Sequence, residues 1–262
     1  MMADKKKLSV ALIAHNEAEI IEPTLKSIDW VDEIIIVDAG STDNTAEVCH
    51  RYDIEVILEE NQVNLNINKN IAIDRCIGEW ILVLDADEVI PYELAGVIRK
   101  IVNDSNSADG YLIPRKNYVL GRWVKHGSQY PDYQLRLFRN GKGRFPAVHV
   151  HERLKVDGKV EKLDTPFEHH PYPDIAMLNM KTKRYVEFEA QHRFKNGAKI
   201  SGFKLFMQVT VIAPFRFIRR YFFKGGFLDG TQGIIMAWLD LTNNIQRWFR
   251  LWELNQQSHR EQ

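Results

Sequence analysis

Two carboxylates one residue apart, Asp85 and Asp87, directly follow the apolar run of residues 80–84. A continuous apolar run is typical of a buried parallel strand, and ligands of open α/β sheets bind outside the carboxyl ends of such strands. Carboxylates at that position can hold Mg²⁺ or Mn²⁺ together with phosphate oxygens. The spacing therefore indicates a site for a metal ion and a diphosphate. The alternative is that Asp85 begins a turn and Asp87 or Glu88 caps a helix that opens at Pro91.

Polar clusters also follow two earlier apolar runs, at residues 14–17 (Ala-His-Asn-Glu) and 38–43 (Asp-Ala-Gly-Ser-Thr-Asp). Either cluster alone could be turn chemistry, but three such strand ends in one parallel sheet would meet at one crevice. Gly40 permits a ligand to approach the backbone closely, and the following helix N-terminus attracts phosphate. Asp38 can accept hydrogen bonds from a base or a ribose hydroxyl. The chain contains neither Gly-x-x-x-x-Gly-Lys nor Gly-x-Gly-x-x-Gly, which disfavours a P-loop or dinucleotide-binding fold.

The elements that must position these clusters alternate regularly along the first third of the chain. Strand-like runs at 8–14, 33–38, 54–58 and 80–84 are separated by helix-like runs at 19–28, 45–52 and 66–76. This alternation predicts a mostly parallel sheet with helices on both faces. Asn44 with Glu47 is a predicted capping pair, and Pro91 suits a first helical position.

Beyond about residue 110 the pattern changes to short strands and loops. The pair Asp157-Gly158 predicts a tight two-residue hairpin, because Asp-Gly supplies the positive φ angles that such a turn needs. From residue 171 onward the sequence becomes helical, basic and aromatic. The second half therefore differs in architecture from the first.

Composition narrows the class of protein. A chain of 262 residues suits one large domain, or one domain with an appendage. With 35 basic and 35 acidic residues, the charge balance gives no support to a nucleic-acid partner. The two cysteines, Cys49 and Cys76, are too few for a disulfide framework and fit a reducing cytoplasm. We read neither a signal peptide nor an apolar stretch near the roughly 18 residues of a membrane span.

The clusters at 14–17, 38–45 and 85–88, with Lys69-Asn70 between them, resemble glycosyltransferase family 2, the inverting enzymes of GT-A fold. Later motifs at 134–139, 151–152 and 226–230 resemble the branch that includes the lipopolysaccharide core β-glucosyltransferases. The resemblance covers nearly the whole chain. It implies an α/β GT-A fold with a mostly parallel central sheet flanked by helices. We expect a catalytic domain over 1–170, with a nucleotide-sugar half to about 110 and an acceptor half over 111–170, and a helical extension over 171–262.

The resemblance also implies roles for individual residues. Glu17 and Asp38 would bind the nucleoside, and Lys69 would lie near the nucleotide. Asp85 would meet the ribose or a metal-bound water, and Asp87 would ligate the metal. Many family members carry a second aspartate directly after the position of Asp38, where this chain has alanine. Nucleoside selection through a second carboxylate is therefore not expected here.

An inverting transfer needs one base to take the proton of the acceptor hydroxyl. The resemblance places an acidic catalytic residue near Glu152, which we take as the base, with Asp132 as the competitor. His149 and His151 alternate, so on a strand they would point the same way. His151 is a candidate further metal ligand. The alternative is that both are ordinary strand histidines bonded to backbone.

Basic side chains beyond the metal strand could also contact the donor. Arg136 and Arg139 could clamp a phosphate, since a guanidinium fork matches phosphate oxygens. The alternative is a surface ion pair, which we favour for Arg139. The pair His169-His170 precedes Pro171 and is interpreted as a turn feature.

The C-terminal third interleaves aromatic and basic residues between 203 and 227, which suits an interface of anionic lipid. A core-packing helix with solvated arginines is the alternative, but the lipid-linked acceptor that the branch implies favours membrane contact. A second helix with one apolar stripe is predicted after Gly233, to pack on the catalytic domain, a second subunit or the bilayer. The stripe consists of Ile234, Trp238, Leu241, Ile245, Trp248 and Trp252.

Together these features predict a metal-dependent inverting glycosyltransferase. It would use Mn²⁺ or Mg²⁺ and move a sugar from a nucleotide-sugar, UDP-glucose or similar, to a lipid-linked glycan such as lipopolysaccharide core. It would act at the cytoplasmic face of the inner membrane. An Asp-x-Asp phosphatase is disfavoured, because that motif belongs on the first strand and here it follows three. The other alternative is a non-catalytic peripheral membrane or sugar-binding module with a GT-A-like fold.

Overall fold

The computed structural model describes residues 7–52, 54–61, 64–146 and 153–260. The chain forms two compact units, Met1–Lys116 with Asp132–His170 and Asn117–Pro131 with Pro171–Gln262. Segment 117–131, which the sequence analysis placed in the first domain, belongs to the second unit. The reason is packing, because Val119 and Val124 form a core with Leu178, while strand β7, Arg122–Trp123, folds back antiparallel on Tyr118 and Val119.

The parallel part of the first unit follows the predicted alternation to within two residues at every boundary. Its strands run in the order β3-β2-β1-β4, with β1 flanked by parallel partners on both sides. The strands are β1 Leu8–Ala14, β2 Glu33–Ala39, β3 Glu55–Glu59 and β4 Trp80–Asp85, and the helices are α1 Ile21–Ser27, α2 Thr45–His50, α3 Leu65–Arg75 and α4 Tyr92–Asn103.

Beyond β4 the pairing within the sheet changes direction. The order continues β8-β6-β12-β5, and β8 pairs antiparallel with both β4 and β6. These strands are β5 Glu88–Val89, β6 Gly110–Val119, β8 Asp132–Arg139 and β12 Phe167–Tyr172, with the short strands β9 Gly143–Arg144, β10 Lys155–Val156 and β11 Val160–Lys162. The α/β prediction is confirmed, with an antiparallel extension that hydrophobic periodicity did not specify.

Every residue of β1 is buried. Val10 and Leu12 pack in a core that includes side chains of α1 and α4. Ala11 and Ile13 pack in a second core that includes side chains of α3. Successive side chains of a strand point to opposite faces, so helices cover both faces of the sheet as predicted.

Three local predictions differ from the structure. Asn44 occupies the N-cap of α2 without a side-chain bond, and Asp43 Oδ1 accepts from Thr45 N instead (3.0 Å). Pro91 is the N-cap of α4, one residue before the helix begins. The hairpin at Asp157-Gly158 is wrong, because β10 pairs antiparallel with β9 and β11 pairs parallel with β6. Each of the two strands pairs with a strand that is distant in sequence, and the residue types of the turn do not reveal such pairing.

The second unit is mostly helical. It contains β7, α5 Ile175–Lys195, α6 Gly202–Met207, α7 Ala213–Ile218, wide π-helical turns at Gln208–Ile212 and Arg219–Phe223, and α8 Gly230–Arg260. Helices α5 and α8 are joined by Arg250, whose Nε lies 2.8 Å from Glu187 Oε2. Among the described residues, no helix has the length and apolarity to cross a bilayer.

The apolar stripe predicted for α8 is not the buried face. The side chains of Ile234, Trp238 and Trp252 are 43%, 59% and 42% exposed. The buried positions are Gly233, Ala237, Asn244, Leu251 and Asn255. The other three residues of the predicted stripe, Leu241, Ile245 and Trp248, are half-buried, so the stripe is only partly covered.

Candidate active site

The ends of β1, β2 and β4 lie side by side in the first unit. Ala14 at the end of β1 is opposite Asp38 of β2, and Ile13 is opposite Asp85 of β4. Because β1 separates the two acidic strands, the backbones of Asp38 and Asp85 are about 10 Å apart, twice the usual strand spacing. The predicted convergence of polar strand ends is confirmed.

The first two clusters form one bonded pair of loops. Asn16 has φ +56° and donates from its backbone N to Ser41 Oγ (2.9 Å), while Thr42 N donates to Asn16 Oδ1 (2.7 Å). Glu17 N donates to Thr45 Oγ1 (2.9 Å), which places its partly buried side chain beside the start of α2. These polar residues therefore shape the loops, whatever else they bind.

Asp38 contributes to both the loop and the crevice. It is 2% exposed, and its Oδ1 accepts from Ser41 N (2.8 Å). Within the described residues, the structure shows no hydrogen bond to its Oδ2. One oxygen thus fixes the turn, and the other remains an acceptor at the strand end.

The third cluster is a buried network of charges. Asp85 Oδ1 lies 2.6 Å from Lys69 Nζ, and its Oδ2 accepts from Arg136 Nη2 (2.7 Å). Arg136 also donates to Glu88 Oε1, and Arg115 Nη1 lies 3.5 Å from the same oxygen. Glu88 Oε2 accepts from the backbone N of Asp85 (3.1 Å). Both oxygens of Asp85 therefore have cationic partners.

The network shifts the pKa values of Asp85 and Glu88 in opposite directions. Burial raises the pKa of Asp85, but Lys69 and Arg136 more than offset this and hold it well below its usual range. Burial outweighs Arg136 at Glu88 and raises its pKa to about 7. Asp85 is therefore ionised throughout the neutral pH range.

The two arginines of β8 are not where the sequence analysis expected them. Arg136 is only 5% exposed and bonds carboxylates, so it is neither a phosphate clamp nor half of a surface ion pair. The Arg139 guanidinium stacks 4.5 Å over the ring of Trp80 and donates to Ser107 O (3.2 Å). Antiparallel pairing of β8 with β4 causes both outcomes, because it brings these side chains alongside β4.

The turn that carries Asp87 is held from two sides. Thr24 Oγ1 of α1 donates to Ala86 O (2.7 Å), and His170 N of β12 donates to Asp87 O (2.8 Å). His169 Nε2 lies 3.4 Å from Asp87 Oδ1. The interpretation of His169-His170 as a turn feature is wrong, because both residues belong to β12. No local sequence signal linked His169 to Asp87; only the pairing of β12 with β5 does.

His169 is neutral at neutral pH. Burial lowers its pKa to about 4, although Asp87 attracts its proton. The 3.4 Å contact with Asp87 is therefore not an ion pair. A neutral imidazole beside an aspartate is a pair of donors that can ligate a metal.

The residues present fit a metal that is only partly held by protein. The oxygens of Asp85 are engaged by Lys69 and Arg136, whereas Asp87 Oδ1 and His169 Nε2, 3.4 Å apart, are two donor atoms that the fold brings together. In the ranges that the structure covers, no group of three or more His, Cys, Asp or Glu side chains is arranged for a metal. Mg²⁺ is commonly held by one or two carboxylates plus waters and substrate phosphates, so the donor set suits an ion completed by a diphosphate.

The two candidate bases are Glu152 and Asp132. Glu152 and the candidate metal ligand His151 lie outside the described residues. Asp132 Oδ2 accepts from Arg115 Nη2 (2.7 Å) and Nε (2.9 Å), and its Oδ1 accepts from Gln134 Nε2 (2.7 Å). A carboxylate bonded at both oxygens is a poor proton acceptor, so this geometry disfavours Asp132.

A mixed α/β sheet with acidic residues at the ends of two parallel strands, one on each side of β1, is found in nucleotide-sugar transferases of GT-A type. The model of the family described as glycosyl transferase family 2 matches residues 9–155. The chain belongs to this family and is a glycosyltransferase.

Individual relatives span most of the chain. Lipopolysaccharide core biosynthesis glycosyltransferase LpsC of Rhizobium meliloti is 27% identical, over 94% of each chain. An uncharacterized glycosyltransferase of Rickettsia felis is 29% identical, over 86% of this chain and 84% of the relative. Among solved structures, S. aureus TarS 1-349 in complex with UDP-GlcNAc superposes with a TM-score of 0.51 at 17% identity, over 98% of this chain and 92% of that one. The GT-A prediction is thereby confirmed.

Proposed function

We propose that this glycosyltransferase moves a sugar, with inversion, from UDP-glucose or a similar UDP-sugar to a lipid-linked glycan such as lipopolysaccharide core. The observation that carries the proposal is the meeting of Asp38, Asp85 and Asp87 at one edge of the sheet. The name of the relative LpsC supports the acceptor class. The complex of TarS with UDP-GlcNAc supports a UDP-linked donor.

The geometry and the family resemblance support a role for each of these residues. Glu17 and Asp38 hold the nucleoside at the linked loops after β1 and β2. Lys69 and Asp85 form the ion pair that lines the nucleotide side of the crevice. Asp87 holds the metal, with His169 as a second donor from β12. His151 stays a candidate ligand from the sequence.

Transfer requires one proton acceptor and one leaving group. Glu152 takes the proton of the acceptor hydroxyl, and the oxygen attacks the anomeric carbon opposite the diphosphate. The bond from that carbon to the diphosphate oxygen breaks, and the diphosphate leaves with the electron pair. Mn²⁺ or Mg²⁺, when bound, supplies Lewis-acid neutralisation of the charge on the diphosphate. A single displacement inverts the configuration.

Replacing Asp87 with asparagine should weaken metal-dependent donor binding by about tenfold or more, because a carboxylate ligand is lost at nearly constant volume. Calorimetry with UDP-glucose, with and without Mn²⁺, measures this loss. Asp74→Asn is the matched control, since Asp74 is an exposed carboxylate of α3 that pairs with Arg144 of β9. If Asp87→Asn binds UDP-glucose and Mn²⁺ as the wild type does, the donor site is not at this turn.

We also propose that the second unit contacts the cytoplasmic face of the inner membrane, where a lipid-linked acceptor is found. The continuous helical run 202–223 exposes aromatic side chains along its length. Phe203, Phe206 and Phe215 are 76%, 60% and 59% exposed, and Arg216 and Arg219 lie on the same run. Apolar side chains beside arginines suit the headgroup region of an anionic bilayer.

Replacing Phe203, Phe206 and Phe215 together with serine should lower partitioning onto anionic vesicles by about a thousandfold or more, since burial of each phenyl ring contributes about 1.5–3 kcal/mol. Vesicle co-sedimentation measures the change. Tyr92→Ser is the control, because Tyr92 is an 83% exposed aromatic of the first unit. If the triple variant partitions onto the vesicles as the wild type does, helix 202–223 does not contact the membrane.

A further inference from the structure

A small cavity in the second unit is bounded mostly by cations. Its volume is about 150 Å³. The lining consists of four basic side chains, one acidic side chain and two loop residues: Arg216, Arg219, Arg220, Lys224, Asp240, Gly127 and Ser128. We propose that this cavity binds a phosphate group, a site distinct in position and chemistry from the crevice of the first unit.

The fold holds the cations close together. Arg219 and Arg220 begin the π-helical turn Arg219–Phe223, and Lys224 N closes it by donating to Arg219 O (2.9 Å). A π-turn is wider than an α-turn and is frequent at functional sites. The widened turn and the residue that follows it carry three of the four cations of the lining, at the end of one helical run.

The loop opposite that turn is fixed in an uncommon backbone conformation. Gly127 has φ +65° and Ser128 has φ +66°. Gly127 N donates to Lys224 O (2.8 Å), and a Cβ at Gly127 would lie 3.3 Å from Arg220 Cγ. A left-handed serine is uncommon and costs energy. The preceding His126 anchors the loop, because its backbone N donates to Asp229 Oδ2 (2.7 Å).

The charges of the cavity are not balanced by protein. Asp240 is the acid of the lining; its Oδ1 lies 2.7 Å from Arg216 Nη2 and 3.6 Å from Arg220 Nη1. For Arg219 and Lys224, the described part of the chain offers no ion-pair partner. Four cations against one carboxylate leave an excess of three positive charges. Burial lowers the pKa of Arg220 more than Asp240 raises it, and the neighbouring Arg216 lowers it further.

A phosphate group matches this arrangement in charge, geometry and size. Guanidinium groups bond phosphate oxygens in pairs, and phosphate is the anion whose several oxygens can use more than two arginines at once. A volume of about 150 Å³ accommodates a phosphate with a few waters, since one water occupies about 30 Å³ in the liquid.

The surroundings indicate where such a phosphate would come from. Phe222 and Phe223, on the same turn, are 57% and 78% exposed, and Leu228 is 55% exposed. Apolar side chains beside an anion site suit a phosphate that is attached to a lipid. Free phosphate shares the same chemistry, and the experiment below separates the two sources. The membrane contact proposed above bears only on the source, whereas the site itself stands on the lining residues.

The test compares the wild type with the double variant Arg219→Gln, Lys224→Gln. Among the described residues neither side chain has an ion-pair partner to lose, and both side chains are exposed, so the fold should be retained. The double variant Lys195→Gln, Lys199→Gln is the control, because it removes the same charge from exposed positions of the same unit. Binding of inorganic phosphate is measured by calorimetry. Binding to vesicles is measured by co-sedimentation, with phosphatidylcholine carrying phosphatidic acid or, at equal surface charge, oleate.

We expect the wild type and the control to bind inorganic phosphate. The Arg219, Lys224 variant should bind it at least about tenfold more weakly. Preference for phosphatidic acid over oleate would assign the site to a lipid phosphate, and lack of that preference with phosphate binding retained would assign it to the free anion. Equal phosphate binding by both double variants would overturn the proposal, as would absence of phosphate binding by the wild type. UDP-glucose calorimetry on the wild type reports the donor site separately, so either proposal can fail alone.

Discussion

Replacing Arg136 with methionine should destabilise the first unit by about 3–5 kcal/mol, the usual cost of removing one partner from a buried ion network. Arg136 is 5% exposed and bonds both Asp85 and Glu88. Without it, Glu88 keeps only Arg115, at 3.5 Å, as a cationic neighbour in the described structure. Urea denaturation, followed by far-ultraviolet circular dichroism, measures the loss.

Two further variants separate charge from packing in that experiment. Adding Glu88→Gln to Arg136→Met should restore part of the lost stability, because the uncompensated carboxylate is the costly group. Arg144→Met breaks the exposed pair with Asp74 and should cost at most about 1 kcal/mol. If Arg136→Met and Arg144→Met destabilise the protein equally, the buried network does not hold the end of β4.

Replacing Glu152 with glutamine should lower sugar transfer by about 10²–10⁴-fold, the range that a positioned general base contributes. The change removes the proton acceptor and little volume, so UDP-glucose affinity should stay within about twofold of the wild type, well under the 1.4 kcal/mol of a tenfold change. Turnover of UDP-glucose with a glycolipid acceptor, followed as UDP release, measures the first effect, and calorimetry measures the second.

Asp132→Asn distinguishes the rival assignment. Asp132 is bonded by Arg115 and Gln134, so its replacement should act on the packing of β6 against β8 and leave most of the transfer rate. If the Glu152→Gln variant transfers sugar normally and the Asp132→Asn variant does not, the base is Asp132.

The parallel half of the sheet was predictable because its signals are local. Strands β1, β2 and β4 each contain a long apolar run, which can be read without knowing any partner. The buried strand β1 shows why this works, since its seven residues are all apolar or small and all lie between helices. The order of acidic strand ends followed from the same alternation.

Local signals failed where a distant strand decided the outcome. Arg136 and His169 reach the carboxylates of the 85–88 cluster only because β8 pairs with β4 and β12 pairs with β5. For the same reason, β10 and β11, which flank Asp157-Gly158, pair with β9 and β6 and not with each other. Helix α8 shows a third case, because its buried positions, which include Ala237, Asn244 and Leu251, lie beside the predicted apolar stripe and not on it.

The sequence by itself determined the family, the parallel α/β core and the positions of Asp38, Asp85 and Asp87 at strand ends. Tertiary structure alone decided which side chains contact those carboxylates. Asp85 is ion-paired with Lys69 and Arg136, whereas Asp87 contacts a neutral His169. The reason is physical, since apolar periodicity is set by neighbours in the chain, while the ionisation and partners of a buried group are set by whichever elements pack against it.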